Sequence, residues 1–233
     1  MSYDPIPTIR READAFLAAA RRGLAPQVPG CPEWTVRELT HHLGSVHRFH
    51  NRHVVRGVTE PPQEWAAELP ADADLLEWFD DSCNELLVTL RSIDPQLPAW
   101  NWARHTPQVA AFWPRRMALE TAVHRWDAES AHQDANGIDI ELAVDGIDEM
   151  LTVIGPAHTK PDFPSGTVAI RPTDTDAAWA VRMAPDTFEV LTEVPAAPDA
   201  VLAGTATALL LALWGRDVDY TATGDAALIA VLT

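Results

Sequence analysis

Residues 115–127 read RRMALETAVHRWD, and the pattern of these residues predicts a helix. A helix turns once per 3.6 residues, so a helix here aligns one stripe of side chains: Trp113, Met117, Glu120, His124 and Asp127. If the apolar start of the stripe faces a core, Glu120 and His124 are carried inward with it. An unpaired buried charge costs several kcal/mol by order of magnitude. A divalent cation between the two side chains would satisfy both.

The Glu-x-x-x-His spacing has to be compared with chance. In a chain of this composition it should occur roughly 0.5 times at random, and it occurs twice. The other pair, Glu38 and His42, has a structural explanation, because Thr35 and Glu38 form the Thr-x-x-Glu capping box that begins a helix. The residues alone therefore leave open whether Glu120 and His124 bind a metal.

The composition excludes several classes of partner. The formal net charge is −17, with 34 acidic against 17 basic residues, and such a chain repels nucleic acid and anionic membrane surfaces.

The first residues lack the apolar stretch of a signal peptide, and no apolar run approaches the ~20 residues of a membrane span. Only two cysteines are present, which favours a reducing compartment. We therefore expect a soluble, cytoplasmic protein.

Four helical segments fill the first two thirds of the chain. Apolar residues at helical spacing predict helices over about 8–24, from the Thr35 cap to about Gly57, from a cap at Asp72 or Asp74 to Ile93, and over about 106–132. Pro114 either kinks the last of these or marks its true start. A further helix, Leu142 to Ile154, is expected to pack on them. Four helices of this length predict a bundle, whose metal sites are built from inward residues on facing helices.

The character of the sequence changes after residue 155, where a stretch rich in proline and glycine predicts a linker. Beyond it, residues 167–172, 178–183 and 187–192 read as short strands, and Thr205 and Asp225 begin short helices. We expect a helical bundle over residues 1–158 and a small α+β domain over residues 163–233. The predicted fold class is therefore mostly α with a small C-terminal α+β domain.

Three segments carry a resemblance to a known family: WTVRELTHHLG (34–44), RRMALETAVHRWDAE (115–129) and LLLALWGR (209–216). Together they resemble the mycothiol-dependent maleylpyruvate isomerase family, in the family's order along the chain. The resemblance implies a DinB-like four-helix bundle followed by a small C-terminal domain. It also implies a metal, typically zinc, held by His42, Glu120 and His124. His50 faces the same side of its helix as His42, and the choice of His42 rests on the resemblance.

Two imidazoles and one carboxylate leave a position open on a tetrahedral ion, as in catalytic zinc sites. The resemblance implies that the thiol mycothiol binds there, loses its proton, and attacks a small electrophilic substrate as a thiolate. The expected activity is that of an isomerase or, if the sulfur stays attached, an S-transferase. Nickel, iron or manganese would also suit these ligands.

Two further residues are assigned roles in catalysis. Asp127 is expected to accept a hydrogen bond from His124 or a neighbouring ligand, although pairing with Arg115, Arg116 or Arg125 is equally open. Arg216 resembles a family arginine implicated in activity and could bind a substrate carboxylate, or it could stabilise a helix end. The main alternative function is a non-catalytic small-molecule-binding or stress-related protein, and a hydrolase that uses metal-bound water is a third.

Overall fold

A computed structural model describes residues 3–55, 57–61, 70–103 and 105–233. The chain forms two compact units that divide between Gly137 and Ile138. The predicted boundary lies further along the chain, between residues 158 and 163. Among the described residues, no helix combines the length and apolar character that crossing a membrane requires.

The N-terminal unit is a bundle of four helices, as the sequence predicts. They are α1 (Pro5–Ala20), α2 (Val36–Val55), α3 (Leu75–Ser92) and α4 (Phe112–Ser130). Helices α1 and α2 each pack against both α3 and α4. The helices bury large apolar side chains in a shared core: Ile9, Phe16, Leu39, Leu43, Phe79, Leu86, Trp113 and Met117. The apolar start of the α4 stripe therefore faces the core.

Helix ends follow local side-chain chemistry. Helix α1 begins earlier than predicted because Asp4 Oδ1 accepts a hydrogen bond from Ile6 N at 3.1 Å, and proline is tolerated in a first turn. Helix α4 begins at Phe112, so Pro114 lies in its first turn and marks the true start. Asp74 occupies the N-cap of α3 without a side-chain cap hydrogen bond. The side chain of Asp72, the other predicted cap, lies outside the described residues.

Helix α2 approaches α3 closely at Gly44. A β-carbon at this position would overlap the ring of Trp78 on α3. The glycine therefore lets the indole lie directly against the α2 backbone. Leu39 and Leu43 of α2 are fully buried in the core of the bundle.

A buried ion network ties α1 to α4. Arg125 Nε donates to Glu12 Oε2 at 2.9 Å and Nη1 donates to Glu129 Oε2 at 2.8 Å. All three side chains are at most one tenth exposed. Arg125 also donates to the carbonyl oxygens of Asn136 and Gly137 at 2.7 and 3.1 Å. The network holds the segment that follows α4 against the bundle.

The C-terminal unit combines helices with a five-stranded sheet. Helix α5 (Ile140–Glu149) continues through a π-helical turn (Met150–Ile154) into the short α6 (Gly155–Ala157), and α5 packs against α7 (Ala206–Leu213). The helix expected from Leu142 to Ile154 was predicted to pack on the bundle, but it belongs to the C-terminal unit. The Thr205 and Asp225 side chains cap α7 and α8 (Ala226–Leu232), as predicted.

The strands are β1 (Gly166–Pro172), β2 (Trp179–Ala184), β3 (Thr187–Val190), β4 (Ala200–Gly204) and β5 (Thr221–Gly224), and the sheet order is β3-β2-β1-β4-β5. Strand β1 is parallel to β4, and the other neighbours are antiparallel. The sequence predicted β1 to β3 and missed β4 and β5. The predicted fold class, mostly α with a small α+β part, is confirmed.

Candidate metal centre

The candidate centre lies within the bundle, between α2 and α4. The Glu38 half of the predicted capping box forms at the start of α2: Thr35 N donates to Glu38 Oε2 at 2.9 Å, and the Thr35 hydroxyl also donates to that oxygen. These hydrogen bonds lower the pKa of Glu38. The Glu38 carboxylate is therefore engaged in hydrogen bonds at the helix start. His42 lies one turn further along, where it faces α4.

His42, Glu120 and His124 come together around a common point. Glu120 Oε1 lies 3.2 Å from His124 Nε2 and 3.5 Å from His42 Nε2. One nitrogen of each imidazole and one oxygen of the carboxylate all lie within 4.8 Å of one another. The two imidazole rings meet edge to face, with centroids 5.1 Å apart. Among the described residues, this is the only cluster of three or more His, Cys, Asp or Glu side chains with such spacing.

The three side chains suit a divalent cation. Two imidazole nitrogens and one carboxylate oxygen form a donor set that zinc accepts, with a position left for a further ligand. His42 is 35% exposed, whereas Glu120 and His124 are 17% and 9% exposed. The centre therefore opens to solvent on the His42 side. The ring of Trp34 lies 4.7 Å from the ring of His42, measured between centroids, and forms an aromatic wall beside that opening.

Asp127 orients His124. Its Oδ2 lies 2.9 Å from His124 Nδ1, and its side chain is fully buried. Nδ1–H donates to Asp127, which turns Nε2 toward Glu120, the arrangement common among metal-binding histidines. Burial disfavours the imidazolium, but the hydrogen bonds with Asp127 and Glu120 outweigh it and raise the pKa of His124 to about 9. In the absence of a cation, the second proton of His124 lies between Nε2 and Glu120.

Arg116 binds the other oxygen of Glu120. It precedes Glu120 by one helical turn, and its Nη2 donates to Oε2. Burial opposes the carboxylate charge, but Arg116, together with His124 and His42, holds the pKa of Glu120 well below its usual value. Glu120 is therefore an anion at neutral pH, and Oε1 is the oxygen that faces both imidazoles.

The remaining bundle histidines have other surroundings. His50 Nδ1 lies 2.7 Å from Val46 O, and its ring packs against Trp113 at a tilt, with the ring centroids 4.0 Å apart. His50 is not part of the three-residue cluster. His41 faces away and stacks on Trp78 with ring centroids 5.6 Å apart.

His47 is fully buried and lies one turn before His50 on α2. Its Nε2 lies 3.1 Å from Thr121 Oγ1, and Thr121 Oγ1 itself donates to Met117 O. His47 Nε2 is therefore the donor in this pair. Its Nδ1 is buried without a hydrogen-bond partner, and burial lowers the pKa of His47 to about 3.

Arg216 lies in the C-terminal unit. Its Nη1 donates to Trp214 O at 2.6 Å, and Gly215 between them has φ +72°, which ends α7 in the left-handed conformation that favours glycine. These contacts stabilise the end of the helix. The predicted role of Arg216 toward a substrate stays a prediction.

Sequence reasoning missed Arg116 and Trp34 as parts of the centre. Arg116 and Glu120 have the i, i+4 spacing of a helical ion pair, and that signal was available in the sequence. Trp34 precedes the helix cap, and its approach to His42 depends on the turn at residues 28–34, where Trp34 N bonds to Cys31 O at 2.8 Å. No local pattern predicts that approach.

Comparison with known proteins gives consistent matches over both units. The model of the mycothiol maleylpyruvate isomerase N-terminal domain matches residues 6–129, and that of the MDMPI C-terminal domain matches residues 141–230. No curated protein matched the chain.

Two solved structures are similar to this chain. One is the mycothiol-dependent maleylpyruvate isomerase, with a TM-score of 0.61 and 12% sequence identity. The other is its histidine-to-alanine mutant, with a TM-score of 0.63 and 11% sequence identity. Each match covers 95% of this chain and 92% of the other. At this identity the likeness shows the shared fold.

Proposed function

The chain belongs to the mycothiol maleylpyruvate isomerase family, and from that premise we propose that it is a metal- and thiol-dependent enzyme. Its expected activity is that of an isomerase or an S-transferase that joins the sulfur of mycothiol to a small electrophile. The observation that carries the proposal is the convergence of two imidazole nitrogens and a carboxylate oxygen within 4.8 Å. Zinc is the expected ion.

Three residues of the centre would hold the cation, and a fourth, Asp127, orients one of these ligands. His42 and His124 would each supply Nε2, and Glu120 would supply Oε1. Asp127 holds His124 in the tautomer that leaves Nε2 for the ion. A bound divalent cation would lower the pKa of a thiol beside it, so that the thiol is a thiolate at neutral pH. The exposed edge of His42 provides the side from which a thiol can enter.

The reaction that fits this arrangement starts with attack on a conjugated double bond. The thiolate sulfur forms a C–S bond, and the displaced electron pair moves to the conjugated carbonyl oxygen. The former double bond is now single and can rotate. When the electron pair returns and the C–S bond breaks, the product is a geometric isomer and the thiolate is regenerated. An S-transferase would instead keep the C–S bond and protonate the carbon.

Arg216 is proposed to bind the carboxylate of such a substrate. A guanidinium offers a planar pair of donors that matches a carboxylate. Arg216→Lys and Arg216→Ala would then raise KM for a carboxylate substrate while leaving the metal content unchanged. Equal KM values in wild type and both variants would assign Arg216 to the helix end alone.

Metal content and thiol-dependent turnover test the proposal together. Purified protein should carry about one divalent ion per chain, and it should convert maleylpyruvate or another conjugated electrophile only when mycothiol is present. His42→Ala and His124→Ala should lose both the ion and the activity. His41→Ala is the matched control, because His41 is adjacent on α2 but stacks on Trp78, and it should keep both.

The alternatives give different results in the same experiment. Turnover without thiol would point to hydrolysis by metal-bound water. A bound ligand without turnover would point to a non-catalytic binding protein. If the folded protein binds no ion even when it is supplied with excess divalent metal, the proposal is contradicted.

A further inference from the structure

The two carboxylate oxygens of Glu120 have different partners. Oε1 faces the imidazole nitrogens of His42 and His124, at 3.5 and 3.2 Å. Oε2 receives the hydrogen bond from Arg116 Nη2. The carboxylate is thus divided between a cation-binding side and a side that is already occupied by a positive charge.

Arg116 is held firmly in this position. Its side chain is only 6% exposed, and it is attached to the same helix as Glu120, one turn earlier. Moving the guanidinium into solvent would take from the largely buried Oε2 the donor that it has in Arg116, which is unfavourable. The division of the two oxygens is therefore a fixed property of α4.

A carboxylate can bind a metal ion through one oxygen or through both. Binding through both oxygens of Glu120 would fill a coordination position beside the two imidazoles. Arg116 competes for Oε2, and a cation that approached Oε2 would also meet the guanidinium charge. With Arg116 in place, Oε1 alone is available, and the three side chains fill three positions.

We propose that Arg116 is a positioning residue that restricts Glu120 to one metal-binding oxygen and so reserves a coordination position for the thiol. The inference rests on the proposed metal site and assigns a role to a residue outside the ligand set. Because Arg116 acts through Glu120, its removal should change the coordination number of the ion before it changes anything else.

Cobalt(II) provides the test, because the visible absorption of a four-coordinate Co²⁺ site is several-fold more intense than that of a five- or six-coordinate site. Wild-type protein loaded with Co²⁺ should show the intense four-coordinate spectrum. Arg116→Met, which has an uncharged side chain without donors, should show a spectrum several-fold weaker. Arg116→Lys, which keeps a charge and a donor, should recover most of the wild-type intensity.

Thiol binding gives a second readout on the same samples. Addition of mycothiol should produce a sulfur-to-cobalt charge-transfer band, and the thiol concentration at half-saturation should rise about tenfold in Arg116→Met, within the range expected for residues that orient metal ligands. The matched control is Arg182→Met, which removes an exposed arginine paired with Glu189 at 2.8 Å in the C-terminal unit. It should behave as wild type.

The outcomes separate this inference from the metal site itself. If Arg116→Met keeps the intense spectrum and the wild-type thiol affinity, the inference is overturned although the site stands. If wild-type protein fails to bind Co²⁺, the proposed function fails with it. If Arg116→Met does not fold, the same spectra are read from Arg116→Leu, whose uncharged side chain also lacks donors and should give the weaker spectrum, and a wild-type spectrum there would overturn the inference.

Discussion

His124 Nδ1 lies 2.9 Å from Asp127 Oδ2, and both side chains are buried on the inner side of α4. Asp127→Asn keeps the shape of the side chain but removes its charge. We expect the affinity for Zn²⁺ to fall about 10- to 100-fold, because the imidazole loses the anion that orients it and increases its basicity. A competition titration with a chelator measures this change.

The control for Asp127→Asn is Asp134→Asn, at a 73% exposed aspartate that pairs with Arg22. It makes the same chemical change away from the centre and should leave the Zn²⁺ affinity at the wild-type value. Equal affinities in all three proteins would show that Asp127 does not support a metal ligand.

Metal binding should release a proton from His124. In the metal-free protein the pKa of His124 is raised to about 9, so its Nε2 carries a proton at pH 7.5 that a cation must displace. Calorimetric titrations in buffers of different ionisation enthalpy should detect release of about one proton per ion at pH 7.5. The number should be smaller in Asp127→Asn, because the pKa of His124 falls when the charge of Asp127 is removed. Binding heats that do not depend on the buffer would contradict this assignment.

The buried network around Arg125 should dominate the stability of the α1–α4 pair. Arg125→Ala leaves Glu129 buried without its cation and leaves Glu12 paired with Arg11 alone, and the expected loss in free energy of unfolding is about 3–5 kcal/mol. Arg22→Ala removes an exposed ion pair with Asp134 and should lose about 1 kcal/mol or less. Urea unfolding of both variants checks the contrast, and similar losses would mean that the Arg125 network adds nothing beyond an exposed pair.

His47 should make the metal-free protein less stable in mild acid. Its pKa is lowered to about 3 when folded and is ~6.5 when unfolded, so between these values the unfolded state binds more protons. The free energy of unfolding therefore falls as the pH drops below 6.5, with a slope that approaches about 1.4 kcal/mol per pH unit. The cause is the buried Nδ1, which has no partner for a second proton.

His47→Gln separates this effect from other groups, since its amide can still donate to Thr121 but does not titrate. Urea unfolding from pH 6.5 to 5 should show a smaller slope in this variant than in wild type. His124 and Glu120 are present in both proteins and contribute equally to both pH profiles, so neither accounts for the difference. Parallel pH profiles would refute the role of His47.

The helical part of the fold could be predicted because its signals are local. The α4 stripe, the Thr35 cap and the position of Pro114 each depend on residues within two or three turns. The missed strands lack such signals: β4 reads AVLAG, without polar alternation, and β5 reads TATG and is exposed throughout. Both are strands because they pair with distant segments, and β4 lies parallel to β1 across a long stretch of chain.

The same distinction between local and long-range signals applies to the residues of the site. Glu120 and His124 follow from spacing on one helix, but His42 and His50 both face inward on α2, and helical periodicity cannot choose between them. The choice required the family resemblance, and the structure brings His42 to Glu120 and packs the His50 ring against Trp113. Arg116 precedes Glu120 by four residues, a spacing that fits an ion pair, but the sequence also offers Asp127 as a partner, and the choice depends on which rotamers the buried helix face permits.

X-ray absorption at the zinc edge, recorded with and without mycothiol, identifies the atoms that bind the ion. The proposed metal- and thiol-binding centre predicts two imidazole nitrogens and one carboxylate oxygen at about 2.0–2.2 Å, and one sulfur at about 2.3 Å once the thiol is added. A zinc ion that never gains a sulfur neighbour at saturating thiol, or that has no imidazole neighbours, would contradict it.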